Sequence, residues 1–503
     1  MMIFESRLPA VLASVLVLAG CSLAPKYEVP AVATPTAFRH AEPLAAGEAG
    51  SWKTAEPSEA AARGEWWKVF DDSVLDALQT EALEANQDLR AAAARLQQSR
   101  ALQRTARADR FPTVDAGFGP TRSRPSPASQ GLPENADTDP NTLWRAQLGL
   151  SYEVDVFGRV ANSVSAANAS LQRDEALYRS VLLALQADVA HTYFLLRELD
   201  AEQAIFANTV ELRAEGLRLM ERRFAEGFID ELDVARSRTE LATAQSESLG
   251  VQRQRAVAEH ALALLLGRSP ADFRFAPQPL ERITVAVPAG LPSELLERRP
   301  DIAAAERAMA AANARIGVAR AAFFPSLTLT GAAGFESGEL GDLFQWSSRT
   351  FLLGPVAGTI LSLPIFDGGR RRAGVDRALA VWEEDVATYR QTVLNAFREV
   401  EDGLAGLRIL SDQTRAQDTA VAAAERAVQL SRVQYREGAV SYLDVIEADR
   451  SALAQQRGRV RLDAERARTV VALIRALGGG WNAPHAAAAD PAVTLTAVAD
   501  RLP

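Results

Sequence analysis

Two hydrophobic periods alternate along the chain. Apolar residues recur at every seventh position at Ala235, Ala242, Leu249, Ala256 and Ala263, and again at Ile446, Leu453, Val460, Ala467 and Ile474. That repeat belongs to helices packed side by side along a seam. Both seams lie in stretches without proline, Asn141 to Ser269 and Ile365 to Ala483, in a chain that carries 24 prolines. Proline breaks a helix interior, so each stretch predicts a very long helix, Arg159–Glu226 and Arg370–Glu437. A glycine turn and a returning helix follow each one, over 230–266 and 441–477. At about 1.5 Å per residue each long helix would extend roughly 100 Å.

The prolines gather in 111–140 and 270–364 together with Gly, Ser and Thr, and there the period falls to two. Leu148, Leu150, Tyr152, Val154 and Val156 alternate with Gln147, Gly149, Ser151, Glu153 and Asp155. Val114, Ala116 and Phe118 repeat the pattern, Leu327 and Leu329 alternate with Ser326, Thr328 and Thr330, and Thr350 to Phe366 carries no charge. Four strands are predicted, in two pairs that enclose polar loops at 119–143 and 336–349. Alternation by itself fits any half-buried sheet. Strands of about ten residues in an exported chain fit an outer-membrane barrel. Four strands cannot close a barrel, and lipid tolerates no open edge, so closure requires several copies of the chain.

The chain is also duplicated. ArgPheAlaGluGly ending at Gly227, with LeuAspVal at 232–234, is matched 211 residues later by TyrArgGluGly ending at Gly438, with LeuAspVal at 443–445. Leu266-Gly267 is matched by Leu477-Gly478, and Asp88-Leu89 precedes Pro112 at the spacing by which Asp301-Ile302 precedes Pro325. Each copy reads as a helix, two strands, a very long helix, a glycine turn and a shorter helix.

The amino terminus reads as an address. Arg7 precedes an apolar run from Leu8 to Leu18, the size of a signal-peptide core and too short for a permanent membrane helix. The run ends Leu18-Ala19-Gly20-Cys21, which resembles a bacterial lipobox, in which cleavage exposes the cysteine and its thiol receives lipid. Ser22 in place of an aspartate after the cysteine favours the outer membrane by the same resemblance. Residues 22 to about 60, rich in Ala, Pro and Glu, are expected to form an extended tether.

Composition removes other functions. The net charge is −9 and lysine is scarce, so no basic patch argues for nucleic acid. Cys21 is the sole cysteine, which excludes an intramolecular disulfide, and the four histidines lie far apart, so no metal site is expected. No phosphate-binding GxxxxGK[ST], nucleophile GxSxG or paired-carboxylate arrangement is present, and no catalytic residue is assigned.

Several stretches carry a specific resemblance: Trp66-Trp67 with Phe70-Asp71-Asp72, ArgArgProAspIle at 298–302, and IleGlyValAlaArgAlaAlaPhePhePro at 316–325. ProIlePheAspGlyGlyArg at 364–370 and LeuGlyGlyGlyTrp at 477–481 complete the set. The chain resembles the TolC family of outer-membrane factors, in its NodT-like lipoprotein branch serving RND-type efflux pumps. The resemblance implies a mostly α protein with a transmembrane β-barrel. It implies a homotrimer whose twelve-stranded barrel continues into a twelve-helix periplasmic α-barrel, each chain carrying a two-fold internal repeat. The chain then divides into a signal peptide (1–20), a lipidated tether (21–62) and the helices of repeat 1 (63–111). Strands 1 and 2 (112–157), long hairpin helices (158–268) and an equatorial connector (269–299) follow. Repeat 2 supplies a helix (300–324), strands 3 and 4 (325–366) and hairpin helices (367–479), before an equatorial tail (480–503).

Function is expected at the periplasmic end. By resemblance Tyr435, Leu443, Asp444, Glu447 and Arg450 line a closed gate, with a ring of acids around the axis. From Leu443, spacings of four and seven put Glu447 and Arg450 on one helical face. Glu447 departs from the aspartate common in the family, which leaves its reach and cation sensitivity open. One repeat earlier Arg236 stands opposite Glu447 and Thr239 opposite Arg450, so the acids are assigned mainly to repeat 2. The plainer reading makes Glu447 and Arg450 a solvated pair worth a few tenths of a kcal/mol. Gly227 and Gly438 read as left-handed helix caps, and by resemblance as tips that receive a periplasmic adaptor. The resemblance implies a passive duct with no cofactor beyond lipid on Cys21, whose partners are the adaptor, an inner-membrane RND pump and outer-membrane lipid. The exit of a type I protein secretion system is the alternative; a periplasmic adaptor would lack both the duplication and the strands.

Overall fold

The computed structural model describes residues 22–40 except 33, 36 and 37, 65–278 except 135, residue 280, 298–354 and 361–479. The predicted signal peptide, Cys21, and most of the predicted tether, connector and tail lie outside these residues. The chain folds as two compact units.

The first unit comprises residues up to 33, 90–180 and 300–395. Its centre is an antiparallel sheet in the order β1-β2-β3-β4, formed by β1 (Thr113–Ser123), β2 (Asn141–Val154), β3 (Ser326–Ser337) and β4 (Arg349–Leu353). A short β5 (Leu361–Ser362) pairs with the start of β3. Cross-strand partners share a face. Phe118, Ala146 and Phe335 form one row, Ala116, Leu148 and Ala333 the next, and Val114, Leu150 and Gly331 the third. This apolar face is open: Phe118 is 65% and Leu148 57% exposed. The other face carries Asp115, Gln147, Glu153, Thr330 and Glu336, with Arg145 paired to Glu336 at 2.8 Å.

Two strand expectations need correction. β1 and β2 reach Ser123 and Asn141, and β3 reaches Ser337, so the loops are shorter than 119–143 and 336–349. The uncharged run 350–366 is also not one strand. Leu353 pairs with Gly331 and Leu361 with Leu327, so this side of the ladder contains extra chain. β4 stops at Leu353, just before Gly354, whose φ of 123° suits glycine. Gly354 is held by its N–H to the Thr330 carbonyl at 3.0 Å and by the Thr330 hydroxyl at 2.7 Å.

The unit also holds most of α2 (Gln87–Ala108), α5 (Pro300–Ala321) and the opening turns of α3 (Arg159–Ala225) and α6 (Arg370–Arg436). Asp155 accepts from the N–H groups of Val160 and Ala161 at 3.0 and 2.6 Å, capping the start of α3. Alanines at Ala176, Ala303 and Ala304 form a buried cluster between α3 and α5. Residues 22–27 are extended but docked on the helices, where a tether without a core was expected. Ser22 donates to Asn162 at 3.0 Å, Asn313 donates to the Pro25 carbonyl at 2.9 Å, and Tyr27 donates to the buried Glu306 carboxylate at 2.5 Å. Short polar side chains on α3 and α5 satisfy the extended backbone here, a pairing that no local periodicity reveals.

The second unit comprises 34–89, 181–299 and 396–503. It holds α1 (Ser73–Ala85), α4 (Glu231–Leu265), α7 (Tyr442–Ala476) and the distal parts of α3 and α6. Asp72 caps α1, accepting from Val74 and Leu75 N–H at 2.9 and 3.1 Å, and Tyr193 donates to the same carboxylate. α3 and α6 have 67 residues each and α4 and α7 have 35 each. The members of each pair start 211 residues apart, at Arg159 and Arg370 and at Glu231 and Tyr442. Leu196, Phe206, Leu262 and Leu473 are fully buried.

The predicted seam on α4 is displaced. Ser237, Ala244, Val251 and Ala258 are buried at heptad spacing, whereas on the predicted stripe Ala235 and Ala242 are exposed, Leu249 is 63% exposed and Ala263, at the end, is buried. α4 therefore has two apolar stripes, and the predicted one is uncovered over most of its length within the chain. On α7 the predicted positions Ile446, Ala467 and Ile474 are buried. The start of the connector is fixed to the helices: Arg197 donates to the Ala276 carbonyl and Gln278, and Arg255 donates to Asp200 and the Phe275 carbonyl, at 2.6 to 3.0 Å. Among the described residues no helix is long and apolar enough to cross a membrane.

Candidate functional site

The hairpin turns follow from backbone chemistry. A helix end leaves carbonyls without partners, and a glycine in the left-handed region lets the chain fold back to satisfy them. Gly227 and Gly438 have φ of 79° and 74°. Beyond them Phe228 N–H reaches the Arg223 carbonyl and Ala439 N–H reaches the Gln434 carbonyl, each at 2.9 Å. Both tip glycines are exposed. The returning helices start at caps: Asp230 accepts from Asp233 N–H at 3.3 Å, and Ser441 donates through its N–H and hydroxyl to Asp444 at 2.9 and 2.7 Å. These bonds hold the Asp444 carboxyl below its ordinary range.

The five predicted gate residues separate into two sets. Leu443, Asp444 and Glu447 are exposed, and Asp444 is turned back onto Ser441. Glu447 makes no hydrogen bond or direct salt bridge among the described residues, and it acts on Arg450 only as a nearby charge. Arg450 instead donates to Glu240 of α4, through Nε at 2.9 Å and through a second nitrogen. Glu240 is 8% exposed and also receives Arg213 of α3 at 3.2 Å. The carboxylate that meets Arg450 thus comes from repeat 1, one position beyond Thr239. The contact is set by the face α4 turns to α7 and not by equivalence between repeats.

Tyr435 belongs to a neighbouring cluster. Its hydroxyl accepts from Arg223 at 3.0 Å, its ring lies 5.4 Å from that of Tyr442, and the Tyr442 hydroxyl lies 3.4 Å from Ser237 Oγ. Arg432 of α6 donates to Asp449 of α7 at 3.0 Å. Burial outweighs that arginine and pushes the Asp449 carboxyl above its usual value. Arg213, Arg432, Tyr442 and Asp449 line a cleft of about 860 Å³ beside the last turns of α3. Sequence reading missed Glu240, Asp449, Arg213 and Arg223. The one available signal was their burial-prone placement on helices rich in alanine, which does not single them out. No group of three or more potential metal ligands exists among the described residues.

The arrangement contains no nucleophile with a base. It contains ion pairs and aromatic contacts that bind the ends of four helices. Comparison with known proteins supplies the family. The solvent efflux pump outer membrane protein SrpC of Pseudomonas putida is 36% identical over 471 residues, covering 93% of this chain and 97% of that protein. The cation efflux system protein CusC of Escherichia coli is 35% identical over 472 residues, with 93% and 97% covered. The open state of the MtrE outer membrane channel of Neisseria gonorrhoeae superimposes with a TM-score of 0.77 at 30% identity, covering 92% and 98%. The outer membrane efflux protein model matches twice in succession, at residues 78–268 and 291–479. This chain therefore belongs to the outer membrane efflux protein family.

Proposed function

We propose that the chain is the outer-membrane exit duct of a tripartite efflux system, passing small toxic compounds outward without chemical change. The observation that carries this reading is the open apolar face of the four-stranded sheet, opposed by a polar face. That is the division of a barrel strand between lipid and lumen. Among the described residues β1 and β4 each lack a partner on one side, and lipid does not accept such edges. Three copies would close twelve strands, and the uncovered stripe on α4 at Leu249 supplies a lateral contact for a helical tunnel. The outer membrane is its location. Cys21 is the point of lipid attachment, and the tips at Gly227 and Gly438 receive a periplasmic adaptor bound to an inner-membrane RND pump. Energy comes from that pump, and this chain catalyses nothing.

The gate reading rests on Tyr435, Leu443, Asp444, Glu447 and Arg450, with Glu240 added as the partner of Arg450. Replacing Glu447 and Arg450 together by alanine is expected to raise single-channel conductance in planar bilayers; unchanged conductance removes the gate from these residues. The reading as a whole is tested by deleting the gene in its host and measuring drug, dye and solvent accumulation beside the secreted proteins. Accumulation with an unchanged secretome supports efflux, and loss of a large exported protein assigns the duct to type I secretion.

A further inference from the structure

Within the second unit a line of ion pairs joins α7 to the first repeat. On α4, Glu240 receives Arg450 and Glu247 receives Arg457 at 3.2 Å; on α3, Glu202 receives Arg461 at 2.5 Å and Glu198 receives Arg468. The arginines recur at spacings of seven, four and seven, so they share one face of α7. Glu198, Glu202 and Glu240 are buried.

The two repeats can be compared position by position here. α3 and α6 are equal in length, as are α4 and α7, and each pair starts 211 residues apart, so every residue of one hairpin has a counterpart in the other without a gap. The counterparts of the four arginines are Thr239, Ser246, Gly250 and Val257 on α4. Those of the four glutamates are Ser451 and Gly458 on α7 and Gln413 and Ile409 on α6. Both members of each pair have lost their charge together. The pair of Arg468 and Glu198 becomes Val257 and Ile409, two aliphatic side chains left 63% and 56% exposed. At the end of the line Arg475 lies 3.8 Å from Asp188; the counterparts are Leu264, 66% exposed, and Glu399, which Arg299 holds at 2.7 Å. An exposed helix face normally carries charge. On α4 this neutral line runs beside the uncovered stripe of Ala235, Ala242 and Leu249, and a side chain added at Gly250 would meet open space.

Repeat 2 uses this face of α7 to pack on repeat 1. Repeat 1 has the same face on α4, uncovered among the described residues, and repeat 2 has the receiving face on α6 and α7. We infer that α4 of one copy packs on α6 and α7 of a second copy in the register by which α7 packs on α3 and α4 within a chain, setting Val257 against Ile409 of the next copy. A contact between two different faces, repeated from copy to copy, closes into a ring when its rotation allows. The inference rests on the closure by several copies that the proposed function requires, and it names the surface that makes it. The seam within a chain is charged and the seam between copies is neutral, with apolar surface to remove from water, so neither repeat can take the other's place.

The test uses the full-length protein purified in detergent. Native mass spectrometry first counts the copies, and a monomer overturns both this seam and the closure beneath it. Val257→Cys with Ile409→Cys, treated with a short bis-maleimide, should then give a ladder of covalent dimer and trimer on denaturing gels. Each single-cysteine variant, which keeps Cys21, sets the background. Arg468→Cys with Glu198→Cys should link within the chain and give no ladder. Thr419→Cys, ten residues further along α6 and about 15 Å away, should not link to Val257→Cys. A trimer without the ladder, or an equal ladder from Thr419→Cys, overturns the seam and leaves the trimer standing. Val257→Arg and Ile409→Glu should each lower the yield of trimer about tenfold, and the two together should restore it by rebuilding the pair found within the chain. A double variant no better than either single one also overturns the register.

Discussion

Glu240 is the residue on which the tip of the second unit turns, and its replacement by glutamine separates a buried from an exposed contribution. Its carboxylate is 8% exposed and receives two arginines of very different setting: Arg213 is 12% exposed and Arg450 57%. Removing one member of a buried pair leaves the other charge uncompensated at about 3 kcal/mol or more. An exposed pair is worth about 0–1 kcal/mol. Glu240→Gln strands Arg213, though Asp449 nearby offers partial compensation, so a loss of about 2–3 kcal/mol is expected. Arg450→Ala removes only the exposed arm and should cost about 0.5 kcal/mol. The assay is a double-mutant cycle over Glu240→Gln and Arg450→Ala, read by unfolding and by single-channel conductance. Glu240→Gln should raise conductance more than Arg450→Ala, with a coupling below about 1 kcal/mol between them. If Glu240→Gln is silent in both measurements, or Arg450→Ala matches it, the triad is not what holds these helices together.

Other outcomes follow from the same kind of accounting. The Asp449 carboxyl is raised above its usual 3.8, so the folded chain keeps a proton that the unfolded chain releases. Its contribution to stability is largest below that value and is lost as pH rises through the folded pKa. Asp449→Asn should therefore flatten the dependence of Tm on pH above about 4, and an unaltered slope would exclude Asp449 as its source. Tyr27→Phe removes the donor to buried Glu306 and should cost about 1–3 kcal/mol, while exposing residues 22–27 to limited proteolysis; full protection of that segment would contradict its docking. A methyl added at Gly334 would lie within 2.1 Å of the Ala146 carbonyl oxygen, so Gly334→Ala should sharply reduce heat-stable oligomer on gels, whereas normal yield would show that β2 and β3 tolerate separation.

Legibility in the sequence followed the range of each interaction. The long helices lie within the proline-free tracts because a helix is a local structure and proline vetoes it locally. The strand faces were legible at Leu148, Leu150 and Leu329, since alternation needs only next-but-one neighbours. The break at Gly354 was not, because it depends on how far β3 extends opposite it. On α4 the heptad of alanines marked one apolar stripe, but composition does not say which stripe meets the same chain. Ser237, Ala244, Val251 and Ala258 fill that role two residues along. Arg450 was recognised and its partner was not: Glu240 is distant in sequence, and only helix packing brings the two together.

The unpaired edges of β1 and β4 carry a consequence for inheritance. Under the proposed closure by neighbouring copies, a strand left open in lipid has no alternative partner, and each copy's barrel segment is completed by its neighbours. A subunit with a damaged β2–β3 pairing, such as Gly334→Ala, then spoils every assembly it enters. In a cell expressing both forms, assemblies made wholly of intact subunits become the minority, and such an allele should behave as dominant.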